Sequence, residues 1–282
     1  MNRRNFIASS SLAAAGIATG FSPLLASPTA KLKNIGVILG LLNKEMQADY
    51  KATLKAVAET GYKYLEFGGT YGADPKEFLQ VIKDLGLKPI AGGTSIVNLR
   101  KQLPEMIETY MAQGKKYLVC YWPWDHDGTK VSGVDEVKRI AAEFNEIGEK
   151  CRQGGIQFVF HNHDKEFFPV EGQLPYDIIL DETDPALVGM EIDLYWIAKG
   201  GADPIPYFKK YPGRFEICHV KDMDNTPEKS FETPGKGIID FPSIFAHIKT
   251  AGLKYFIVER DKAPEPMRTM REGYEYLRGL RF

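Results

Sequence analysis

The chain has little of several things that mark whole classes of protein. It has three cysteines in 282 residues: Cys120, Cys151 and Cys218. They are odd in number and far apart, which argues against a disulfide framework and reads as three buried free thiols. It has five histidines and no excess of positive charge, with 36 Lys and Arg against 37 Asp and Glu. A nucleic-acid binder shows a basic excess or stripe, so no nucleic acid is expected as a partner. No glycine-rich phosphate loop follows the first predicted strand, which runs into Leu39-Gly40-Leu41-Leu42-Asn43. A dinucleotide-binding open sheet would carry one there. Low-complexity tracts, linkers and sequence repeats are also missing. What remains is an ordinary globular composition, 44% hydrophobic and 26% charged, of a length that suits one large α/β domain.

The first 30 residues stand apart. Arg3-Arg4 precede an uncharged run from Ile7 to Leu25 rich in Ala, Ser and Gly. This pattern reads as a twin-arginine-type signal over residues 1–30, with a periplasmic destination and cleavage near Ala26 to Ala30. The run is weakly hydrophobic and broken by Gly16, Gly20 and Pro23, so no stable membrane insertion is expected.

Residues 31–282 repeat one rhythm, a short β-branched or aromatic run and then a helical stretch. Strands are expected at Asn34 to Leu39, Tyr64 to Phe67, Lys88 to Ala91, Tyr117 to Tyr121, Gln157 to His161, Gly189 to Asp193, Phe215 to Val220 and Tyr255 to Val258. The helices expected between them include Pro75 to Leu85, Pro104 to Gln113, Val134 to Gln153, Pro204 to Tyr211 and Phe241 to Ala251. Alternation of this kind implies a parallel sheet covered by helices. Eight units are the number of a closed (β/α)8 TIM barrel in a single domain.

In such a barrel the chemistry sits at the C-terminal ends of the strands. Strand five ends in Phe160-His161-Asn162-His163-Asp164-Lys165-Glu166, strand six in Glu191-Ile192-Asp193, strand seven in His219-Val220-Lys221-Asp222, and strand eight in Val258-Glu259. Singly, Asp193 could be a helix cap, His219 a core histidine, and Lys221 the partner of Asp222 or Asp193. Glu259 is harder to explain, because an apolar strand ending in a buried carboxylate needs a cation. Jointly, Asp193, His219 and Glu259 on three successive strand ends point to a divalent metal, with hard oxygen donors beside an imidazole. His247 falls on a predicted helix and reads as structural. His126, in the loop after strand four, is a weaker candidate for the substrate.

These strand-end motifs, with Gly235-Lys236-Gly237-Ile238-Ile239-Asp240-Phe241, resemble those of the sugar phosphate isomerase/epimerase superfamily of xylose-isomerase-like barrels. The resemblance covers Asn34 to Leu280. It implies one metal held by an acid, an Asp, a His and a final Glu from strands five to eight. Asp193, His219 and Glu259 match the last three. At strand five this chain has His161 where many relatives carry Glu, so either His161 or Glu166 is the fourth ligand, and Glu166 is preferred because it keeps the site hard. The ion is one of Mn, Co, Mg or Zn, with manganese the first candidate.

The expected chemistry is proton transfer beside a carbonyl through an enediolate stabilised by the ion. Glu259 is the first candidate base, Lys221 the second acid or base, and His163 faces the substrate. Glu66, Trp122, His161 and Trp196 are assigned to substrate binding. The substrate is expected to be a non-phosphorylated sugar or keto-sugar, since an exported enzyme meets few sugar phosphates. The activity expected is an isomerase or epimerase. The alternative is a lyase or hydrolase acting on 3-keto-glycosides by β-elimination. A DNA-repair endonuclease fits poorly with five histidines and no basic face, and a non-catalytic sugar-binding protein would tolerate loss of the metal. The sequence leaves room for a homo-oligomer.

Overall fold

The computed structural model describes residues 30–124 and 131–282. The signal-like segment and His126 lie outside the described residues. Eight parallel strands close into a barrel in sequential order, the last pairing with the first. They are β1 (Ile35–Ile38), β2 (Tyr64–Glu66), β3 (Lys88–Ser95), β4 (Tyr117–Trp122), β5 (Gln157–His161), β6 (Val188–Asp193), β7 (Phe215–Val220) and β8 (Tyr255–Val258). The expected single-domain (β/α)8 barrel is what forms.

Side chains alternate across each strand, and here the alternation sorts them into two cores. Phe158 and Phe160 of β5, Met190 and Ile192 of β6, Cys218 and Val220 of β7, and Phe256 and Val258 of β8 face the surrounding helices. Tyr117, Val119, Val159, Ile217, Tyr255 and Ile257 fill the inside of the barrel. Continuing that inner row by two residues brings Tyr121, His161, Glu191, His219 and Glu259 to the mouth. Gly36 leaves room in this inner row, since a Cβ there would sit 2.7 Å from Ile257 Cδ1.

Several helices differ from expectation at their ends. The helix after β3 is α3 (Ile96–Ala112); it begins at Ile96, not Pro104, because the Ser95 hydroxyl caps it, and Pro104 is carried inside it just past a kink at Gln102. An unexpected short helix, α6 (Leu194–Lys199), starts directly from β6, capped by Asp193. The stretch after β7 forms a small antiparallel hairpin, Asp222–Met223 with Phe231–Glu232. The helix expected over Phe241 to Ala251 is two pieces, Phe241–Phe245 and Ile248–Ala251, broken at His247. The stretch from Val134 to Gln153 is one helix with both expected ends.

Candidate metal centre and active-site cleft

A cleft of about 440 Å³ opens at the C-terminal ends of the strands, lined by Tyr121, His161, His163, Trp196, His219, Lys221, Phe231 and Glu259 among others. A larger depression of about 660 Å³ lies at the opposite end, beside Tyr64, Lys88, Lys116 and Tyr255. It gathers no cluster of acids and imidazoles, so the chemistry belongs to the smaller cleft.

Asp193 sits at the junction of β6 and α6 and does two jobs. Its Oδ1 accepts from the backbone N–H of Trp196 at 2.9 Å, which is the cap that the isolated residue suggested. Its Oδ2 is buried and makes no aligned hydrogen bond, but it is ion-paired with Lys221 Nζ at 2.9 Å. That oxygen lies 3.9 Å from His161 Nε2 and 4.0 Å from His219 Nδ1. Asn162 locks the junction: its side chain accepts from Asp193 N–H at 3.0 Å and donates to Asp193 O at 3.3 Å.

His161, Asp193 and His219 offer ligand atoms close enough to surround one ion. Glu259 Oε2 joins them 2.7 Å from His219 Nδ1. Lys221 Nζ lies 2.9 Å from Asp193, Glu259 and Asp261 alike. Of the two pairings expected for Lys221, the one with Asp193 forms and the one with Asp222 does not. Asp222 turns outward and accepts from the backbone N–H groups of Met223, Gly235, Gly237 and Ile239. That clasp explains the Gly-Lys-Gly motif, because a Cβ on Gly237 would sit 2.2 Å from Met223 O. Arg260 holds the same loop through Phe231 O and Thr233, which keeps Phe231 against Trp196.

Below the cluster is a second polar layer. Glu66 accepts from Tyr121 O–H at 2.5 Å and lies 3.1 Å from His219 Nε2. Glu191 lies 3.0 Å from His161 Nδ1 and 3.4 Å from His219 Nε2. The strand-end motifs contain Glu191, but its role was missed. Its spacing of two residues from Asp193 is the signal that could have placed it in the barrel.

Burial and mutual charge set the protonation of this cluster. Burial, then repulsion from Glu66, pushes the Glu191 carboxyl up to about 8. Burial raises Asp193 to about 6, against the pull of Lys221. For His219, burial opposes charge, but Glu191, Glu66 and Glu259 outweigh it and lift the imidazole well above its ordinary value. Burial likewise opposes the charge on Glu259, but Lys221 and His219 hold it well below the usual carboxylate range. Burial and then neighbouring cations lower His161 strongly and bring His163 to about 3, so both rings are neutral.

Three residues lie elsewhere than expected. Glu166 does not reach the cluster. It is buried behind β5, where its carboxylate accepts from Trp124 Nε1 at 2.9 Å and from His163 N–H at 2.6 Å. With those partners Glu166 stands apart from the cluster, and His161 is the strand-five side chain beside Asp193 and His219. Glu66 is fully buried under His219 and does not line the cleft, so it cannot touch a substrate there. Trp122 packs edge-on against His163 instead of lining the cleft. His161, His163, Trp196, Lys221 and Glu259 do line it, as expected. Asp261 and Lys262 are further lining residues that the sequence did not suggest, and Lys262 adopts a left-handed backbone with φ 49°.

The donor chemistry fits a divalent ion. Carboxylates outnumber cations around the cluster, and Asp193 Oδ2, though paired with Lys221, also faces two imidazole nitrogens at 3.9 and 4.0 Å, gaps too long for hydrogen bonds. Two imidazoles and two carboxylates suit a transition metal or zinc better than magnesium.

A closed parallel barrel with imidazoles and carboxylates converging at its mouth defines a TIM barrel with a candidate metal centre. More narrowly, the chain belongs to the xylose isomerase-like TIM barrel family, whose model matches residues 54–280. It is 24% identical over 269 residues to an inosose dehydratase of Lacticaseibacillus casei, covering 80% of this chain and 88% of that one. A solved sugar phosphate isomerase/epimerase from Parabacteroides distasonis is 27% identical with TM-score 0.73, covering 88% of this chain and 99% of that one. The IOLI protein, solved with a bound zinc atom, shares the fold at 18% identity and TM-score 0.67, covering 86% of this chain and 94% of that one. Among the described residues no helix is long and apolar enough to cross a membrane.

Proposed function

We propose that this chain is a divalent-metal-dependent enzyme that breaks a C–O bond β to the carbonyl of a non-phosphorylated keto-sugar, keto-cyclitol or keto-glycoside. His161, Asp193, His219 and Glu259 would hold the ion, which supplies Lewis-acid polarisation of the substrate carbonyl. The observation that carries the choice of elimination is the distribution of bases. The carboxylates lining the cleft, Glu259 and Asp261, both follow β8. On the β5 side stand two neutral imidazoles, His161 and His163.

Epimerisation by two bases needs one on each face of the reacting carbon. Elimination needs one base and one acid. Glu259 removes the proton from the carbon beside the carbonyl, and that electron pair becomes a C=C bond as the C–O bond on the next carbon breaks. Lys221, held charged because Asp193, Glu259 and Asp261 outweigh its burial, gives the departing oxygen its proton. His163, packed against Trp122 and Trp196, positions the ring of the substrate. The products are an unsaturated ketone and water or an alcohol, so atoms and charges balance.

The relative named a dehydratase supports this reading, and export, expected from the twin-arginine-type pattern of residues 1–30, would favour an unphosphorylated substrate. An isomerase or epimerase is the second reading. It is favoured by the solved relative of that name and by Asp261 as a second carboxylate at the cleft. Product analysis by proton NMR separates the two with the metal-loaded protein and a panel of keto-sugars and 3-keto-glycosides. Elimination gives an olefinic proton signal and a released alcohol or water, and chelation abolishes it. A product of unchanged composition, with deuterium taken up from D2O, would instead establish isomerisation.

A further inference from the structure

Two buried carboxylates have no part in the ligand set or in the proposed proton transfers. They are Glu66 on β2 and Glu191 on β6. Their geometry is matched to the two histidines. An imidazole can offer a lone pair on one nitrogen only while its proton stays on the other, and that choice is fixed by what the other nitrogen bonds. His161 turns Nδ1 to Glu191 Oε2 at 3.0 Å, and His219 turns Nε2 to Glu66 Oε2 at 3.1 Å. The other nitrogens face the proposed ligand oxygens: His161 Nε2 lies 3.9 Å from Asp193 Oδ2, and His219 Nδ1 lies 2.7 Å from Glu259 Oε2 and 4.0 Å from Asp193 Oδ2.

The two rings use opposite nitrogens because they come from different sides. Their centroids are 4.7 Å apart and their planes are inclined at 66°. Each acid is itself placed by the fold. Glu191 sits opposite His161 in the β5–β6 register, and Asp193 opposite His219 in the β6–β7 register. On β6, therefore, Glu191 lies closest to His161 Nδ1 at 3.0 Å, with His219 Nε2 farther off at 3.4 Å, and Asp193 lies near the opposite nitrogens of both rings. Tyr121 donates to Oε1 of Glu66, which leaves Oε2 for His219.

We propose that Glu66 and Glu191 are positioning residues that impose opposite tautomers on the two histidines, so that His161 presents Nε2 and His219 presents Nδ1 to one divalent ion. The inference rests on the metal reading above. A competing use of the same atoms is a second cation site, because Glu66, Glu191 and His219 also offer mutually close ligand atoms.

Metal-stripped full-length protein, titrated with cobalt(II) and followed by its visible spectrum and by equilibrium dialysis, tests the inference. Glu66→Gln and Glu191→Gln are each expected to bind one ion about 10- to 100-fold more weakly than the unaltered protein, with a changed absorption band. Unchanged affinity and spectrum in both variants would overturn it, as would a second cobalt ion that either variant abolishes while the first is unaffected. Asp193→Asn and His161→Ala serve as ligand controls. If they also bind cobalt normally, the metal reading itself fails. Should the Gln variants not fold, imidazole 15N NMR of the unaltered zinc-loaded protein decides the matter. A proton on Nδ1 of His161 and Nε2 of His219 is expected, and the reverse tautomer on either ring refutes the proposal.

Discussion

The two ends of the barrel interior are built by the same strands with the same alternation, yet they differ in kind. Below the mouth Val119, Val159, Ile217 and Ile257 pack as an apolar layer, and Tyr117 and Tyr255 continue it toward the other end. Two residues further along those strands, Tyr121, His161, His219 and Glu259 form a buried network of charge and hydrogen bonds. The lower end is stabilised by removing apolar surface from water. The upper end bears the cost of burying several ionisable groups, which is tolerable only because they compensate one another or a cation. The lower layer thus carries the fold and the upper layer the function.

The largest expected effect comes from Asp193→Asn. It keeps the cap to Trp196 but removes the charge that faces both imidazoles, and it should lower metal-dependent turnover by about 1,000-fold or more while the thermal melt stays close to that of the unaltered protein. An equal loss of melting temperature and turnover would show that the upper layer also holds the barrel together. Next is Ile217→Ala, one step below His219 on β7. A cavity there should cost about 2–5 kcal/mol in denaturant unfolding, with cobalt affinity within about twofold of normal. A large loss of metal affinity would mean that the two layers are mechanically one.

A smaller effect is expected from pH. Glu191, Glu66 and Glu259 hold the His219 ring protonated well above its ordinary range, and a metal at Nδ1 must displace that proton. Raising the pH therefore strengthens metal binding, by up to about tenfold per unit while one proton is released. Cobalt titrations between pH 6 and 8 measure it, and a flat profile would show that His219 enters the site already neutral.

Much of this was legible in the sequence, and for definable reasons. The eight strands could be read because each is a short β-branched or aromatic run flanked by turn residues, and β5, β7 and β8 have the expected ends. Asp193, His219, Lys221 and Glu259 could be placed because strand ends in a barrel converge. Glu166 could not be placed, because its direction depends on a three-residue turn and on the Trp124 indole that reaches it from β4. Glu66 and Glu191 were hidden for a different reason, since their role is a relation between side chains on β2, β5, β6 and β7.

The sequence by itself therefore determined the barrel and the rim of strand ends on which its chemistry lies, because period-two alternation and turn residues are local properties of the chain. Only the tertiary structure decided that His161, not Glu166, joins Asp193, and that Glu66 and Glu191 lie beneath the histidines. Those outcomes depend on barrel closure, on strand register and on which buried donor finds which acceptor, and none of these is set by neighbours in sequence.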